Sequence, residues 1–62
     1  MKLRDLVEVY GGEVSIIHMF DEVWFGDIDR IFKHEEDKWI LDSEIYFIET
    51  TDEQYLKIWI RQ

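Results

Sequence analysis

The chain has 62 residues and no cysteine, and its fifteen acidic against seven basic residues leave a formal net charge of −8. That length bounds it to one domain, residues 1–62, able to hide only about 60% of the surface its unfolded chain exposes. Without thiols it has neither disulfides nor thiolate metal sites, and its charge argues against nucleic-acid phosphates or anionic lipid as direct partners, since both would repel it.

In "KLRDLVEVYGG" the apolar residues Leu3, Leu6, Val7 and Tyr10 recur at i, i+3, i+4 and i+7, one face of a helix that Gly11 and Gly12 should stop. No long apolar run follows Lys2 and Arg4, so this start reads as neither secretion signal nor membrane span, and the expected location is the cytoplasm. From Glu13 the period becomes two, with Val14, Ile16, His18 and Phe20 on one side of a strand. Asp21 and Glu22 read as a polar turn, "VWFGD" as the returning strand, and Gly26 as a bulge or a close backbone approach. "DIDRIFKH" places Ile28, Ile31 and Phe32 on one face of a short helix with Asp27 as N-cap. After an acidic linker, "EIYFIETT" and "QYLKIWI" read as a hairpin closed by "TTDE". In its last strand Leu56, Ile58 and Ile60 form one face, and Tyr55, Lys57, Trp59 and Arg61 the other. A terminal helix competes, because Thr51 and Gln54 have capping-box spacing.

The expected fold is therefore α+β, a four-stranded antiparallel sheet in α-β-β-α-β-β order with the first helix covering one face. Its expected core is Leu3, Leu6, Val7, Val14, Ile16, Phe20, Val23, Phe25, Ile28, Ile31, Ile45, Phe47, Leu56, Ile58 and Ile60.

Catalytic and metal motifs fail on their own chemistry. "DIDRIFKHEEDK" opens like a calcium loop, but Ile31, Phe32 and Lys38 stand where an oxygen ligand, a turn glycine and a bidentate glutamate are needed. His18 and His34 share no zinc spacing even with Glu35, Glu36 and Asp37 nearby, and Ser15 and Ser43 lack a histidine at motif spacing. No metal, cofactor or enzymatic activity is expected.

The acids are uneven. Residues 21–53 hold twelve acids against three bases, whereas residues 54–62 add only Lys57 and Arg61. Besides solubility, such a concentration suits a surface that imitates the phosphate array of nucleic acid and competes for the Lys and Arg of a basic protein. Asp21, Glu22, Asp27, Asp29, Glu35, Glu36, Asp37, Asp42 and Glu44 would supply the charge, with Trp24 and Trp39 as the nearest aromatic anchors. The alternative is a structural or regulatory module that self-associates, as a homodimer, through Tyr55 and Trp59.

"MKLRDLVEV", "VWFGDIDRI" and "LDSEIYFIETTDEQYLKIWI" together resemble small acidic proteins encoded by phages and prophages of Gram-positive bacteria. The resemblance implies an initial helix, a hairpin with a glycine after its second strand, and a closing strand pair. Such proteins include anti-CRISPR inhibitors, whose members often block the nucleic-acid channel of an effector nuclease. It thus implies a non-enzymatic inhibitor acting in a bacterial host cell. The inserted "KHEEDKW" is more acidic than the pattern needs, and the first hairpin lacks Asn-Gly.

Overall fold

The computed structural model describes residues 1–61. In chain order it has helix α1 (Leu3–Val7), strands β1 (Glu13–His18) and β2 (Asp21–Asp27), 3-10 segments at Ile28–Lys33 and Glu35–Asp37, helix α2 (Lys38–Leu41), and strands β3 (Glu44–Thr50) and β4 (Leu56–Arg61). The α+β class and the four strands are as expected, and the last segment is a strand, not a helix.

The four strands form one sheet in the order β2-β1-β4-β3. Each hairpin is antiparallel, but β1 and β4 run parallel down the middle, Ile16 beside Ile58 and His18 beside Ile60. This mixed sheet corrects the all-antiparallel expectation. The crossover from β2 to β3 carries the chain from one sheet edge to the other, so β4 returns on the inside, beside β1. A parallel pair needs such a long connection, and here the 3-10 segments and α2 supply it.

That crossover and α1 cover one sheet face. Leu3, Leu6, Val14, Ile16, Ile28, Ile31, Ile40, Leu41, Ile58 and Ile60 are buried between the layers. Ile40 and Leu41 come from the stretch read as an acidic linker, while Val7, Val23, Ile45 and Leu56 pack only partly against the core. Phe20, Phe25 and Phe47 are not core residues at all. For Phe47 the reason is a bulge between Ile45 and Phe47: it puts Ile48 beside Ile58 and Phe47 beside Trp59, reversing the side that strict alternation assigns. A second bulge opposite Ile16 and Ile17 leaves Val23 without a register partner and pairs Trp24 with Ile16 and Phe25 with Ser15.

Local details follow from single residues. α1 is one turn, ending at Val7 well before the glycines; the Asp5 carboxylate accepts the Lys2 N–H, and the Leu3 N–H donates to the Ser43 carbonyl. Gly12 is needed for another reason, since the Tyr10 ring lies where its side chain would stand. Gly26 has φ +144°, and the Trp24 ring covers it. The first hairpin turns at Met19 and Phe20, both with positive φ, while the expected turn residues Asp21 and Glu22 already belong to β2. Asp27 precedes the first 3-10 segment but makes no side-chain capping bond. In the second hairpin Thr51 Oγ1 donates to the Tyr55 carbonyl at 2.8 Å, so Thr51 closes a turn instead of starting a helix. Among the described residues no helix is long and apolar enough to cross a membrane.

Candidate functional site

The crossover holds most of the acids named from the sequence. Asp29, Glu35 and Glu36 lie at solvent on its 3-10 turns and Asp37 is half-buried, while Ile28, Ile31, Ile40 and Leu41 fasten the same backbone to the core. What the sequence presents as a loose acidic linker is thus a structured layer. Trp39 projects from α2, 36% exposed, with its ring edge-to-face on His18 at 5.2 Å. Phe32 adds a second partly exposed ring on this layer.

Several of these acids already hold a cation. Glu35 accepts from Lys38 Nζ at 2.9 Å, Asp27 lies 3.7 Å from Arg30 Nε, Asp42 is 2.7 Å from an Arg4 guanidinium nitrogen, and Glu44 takes the N-terminal ammonium at 3.1 Å. All four pairs are solvent-exposed, where such contacts contribute about 0–1 kcal/mol and exchange readily for another cation. Among the described residues Asp21, Asp29 and Asp37 form no ion pair. His34 Nδ1 lies 3.8 Å from Glu36 Oε1, and His34, Glu36 and Asp37 have ligand-capable atoms within 4.8 Å of one another. His18 is not part of this cluster; its ring meets Trp39 edge-to-face.

Five of the predicted residues, Asp21, Glu22, Trp24, Asp27 and Glu44, lie on strands instead. Glu22 is on the uncovered face of the sheet, where it accepts a 2.6 Å hydrogen bond from Ser15. Trp24 is half-buried on the covered face, against the core, and is no exposed anchor. The acids therefore divide between the crossover, with Asp29, Glu35, Glu36, Asp37 and Asp42, and the strands, with Asp21, Glu22, Asp27 and Glu44.

The uncovered face carries what the sequence reading largely missed. Phe25 and Phe47, each 51% exposed, stand edge-to-face on Tyr55 and Trp59 respectively, with ring centroids 5.2 Å apart in both pairs. Ile17 lies beside Trp59 in the parallel register, and Lys57 lies between Ser15 and Glu49. Tyr55 and Trp59 do share this face, as the alternation in β4 implied. Phe25 and Phe47 escaped notice because the bulges that turn them outward leave no local sequence signal. A third apolar feature is the β1–β2 turn, where Met19 and Phe20 are 76% and 96% exposed.

Compared with protein-family models, curated proteins and solved structures, the chain matches none of them.

Proposed function

We propose that the chain is a non-enzymatic inhibitor that binds a basic, nucleic-acid-binding protein through its acidic crossover. In the phage setting that its sequence resembles, this would be an anti-CRISPR or related anti-defence protein, and the partner an RNA-guided effector nuclease. The observation that carries the reading is the anchoring of the crossover. Four buried apolar residues hold its backbone, so Asp29, Glu35, Glu36 and Asp37 are presented from successive short turns. Carboxylates displayed this way lose little freedom on docking, and preorganisation raises affinity by reducing that ordering cost. Trp39 and Phe32 on the same layer give the charged surface apolar contacts of the type that dominate interface energetics. The weak surface pairs at Asp27 and Glu35 are no obstacle, because an incoming Lys or Arg replaces one exposed cation with another.

The test is the triple change Glu35→Gln, Glu36→Gln, Asp37→Asn, assayed with a purified RNA-guided effector nuclease at two salt concentrations. Affinity should fall by about 1–3 kcal/mol, most at low salt, because exposed charges are screened beyond a Debye length of about 10 Å at 0.1 M. Equal binding and inhibition by the variant and the parent at both salt concentrations would remove the crossover from the interface.

A further inference from the structure

The geometry points to the Met19–Phe20 turn as the apolar anchor of this chain, a knob that enters a cleft of the basic partner with an apolar floor and Lys or Arg at its rim. This deepens the proposed function and rests on its basic partner, adding a second contact beside the crossover.

Strand β1 ends at His18 and β2 begins at Asp21, and these two residues pair in register, so Met19 and Phe20 alone make the turn. Both have positive φ, 52° and 70°, in a two-residue hairpin turn of the kind that favours Asn-Gly. Bulky side chains held in that backbone region are strained. Neither offsets the strain by packing within the fold: Phe20 is 96% exposed and Met19 76%, whereas no other exposed aromatic side chain passes 55%. A turn selected for folding alone would be small and polar here. Phe and Met are instead residue types enriched in protein interfaces, and backbone strain of this sort collects at ligand clamps and binding sites.

Three observations define the occupant. The first is charge. No Lys or Arg occurs between Arg4 and Arg30, and Asp21 and Glu22 directly follow the tip. Asp21 is exposed and, among the described residues, forms no ion pair. Arg61 ends β4 at the same end of the sheet, but it stands over the Tyr46 ring with Glu44 opposite it in register. The tip is therefore flanked by acid, which suits a basic rim and disfavours nucleic acid or anionic lipid.

The second is continuity with the crossover. His18, at the base of the turn, meets the Trp39 ring edge-to-face at 5.2 Å, and Trp39 is the exposed ring of α2. One partner surface thus spans tip and crossover. The third is shape. A projecting ring is buried by a concave site, and among the described residues this chain has no cavity, so a second copy has no place to receive it.

The test separates the tip from the crossover. Met19→Asn with Phe20→Gly gives the turn its favoured residues and removes both side chains, so this double variant should melt higher than the parent. It should nevertheless bind a purified RNA-guided effector nuclease at least about thirtyfold more weakly, the usual loss on truncating a hot-spot side chain. With p-benzoylphenylalanine in place of Phe20, irradiation of the complex should crosslink the tip to a nuclease peptide that has apolar side chains next to Lys or Arg. Parent-like affinity of the double variant overturns the inference; if the Glu35, Glu36, Asp37 triple variant still binds weakly, the crossover reading survives. Weak binding by the double variant beside parent-like binding by the triple variant keeps the anchor and removes the crossover instead. A lower Tm for the double variant, or crosslinking between two copies of this chain, also overturns the inference. The absence of any complex with the nuclease overturns both.

Discussion

Ile58 is the position where packing and topology meet, and Ile58→Ala tests both. It is fully buried at the centre of the sheet, with Ile16 beside it on β1 and Ile48 on β3. The substitution removes three carbons, about 2.5 kcal/mol of transfer free energy at roughly 0.8 per methylene. Strands hydrogen-bonded on both sides cannot close over the gap, so a cavity contribution adds to this and the expected loss is about 3–4 kcal/mol. A domain of this size has only about 3–9 kcal/mol in total. Urea unfolding followed by tryptophan fluorescence should show a midpoint lower by about 3 M at a slope near 1 kcal/mol/M, or a chain already unfolded without urea. Lys57→Ala, one residue away on the uncovered face, should cost less than about 1 kcal/mol. A loss below about 1 kcal/mol for Ile58→Ala together with a larger loss for Lys57→Ala would mean that β4 faces the other way, and the described core would be wrong.

Gly26→Ala should destabilise by about 1–3 kcal/mol in the same assay, because φ is +144° and a Cβ would stand 3.2 Å from the Trp24 ring; an unchanged midpoint would contradict that backbone. The pair Met19→Asn with Phe20→Gly should instead stabilise, by about 1–2 kcal/mol or roughly 4–16 °C in Tm, since bulky residues at φ 52° and 70° occupy a turn that favours Asn-Gly. A lower Tm for that variant would show that the exposed Met19 and Phe20 side chains support the fold. Thermal melts with chelator, zinc or calcium should agree within about 4 °C, less than the shift of 1 kcal/mol in a domain this small. A larger stoichiometric shift would make His34, Glu36 and Asp37 a metal site.

How much of this was legible depends on whether the governing interaction is local. The alternation of Leu56, Ile58 and Ile60 against Lys57 and Trp59 reads directly as two strand faces, and those faces are the ones observed. The same rule fails at Phe47 and Phe25, because a bulge is set by pairing with another strand and shifts every later residue of its own. Ile40 and Leu41 were hidden because "WIL" is too short to show a helical period between acids. The Met19–Phe20 turn lacks the Gly or Asn that would announce it, so local composition points instead to the polar pair that follows. Parallel pairing of β1 with β4 follows from the course of the crossover, which no local pattern encodes. At the candidate site the acids were plain from composition, but their partners were not: Arg4 and Asp42 are 38 positions apart, the N-terminus and Glu44 43.

The central claim, that the acidic crossover is the surface presented to a basic partner, is tested most directly by hydrogen exchange of this chain alone and bound to a purified RNA-guided effector nuclease. Backbone amides across residues 29–39 lie on short surface turns and should exchange quickly in the free protein. Binding through the crossover should slow them, while amides of edge strand β3 remain as they were. Unchanged exchange across 29–39 with new protection on β3, or the absence of any complex, would contradict the claim.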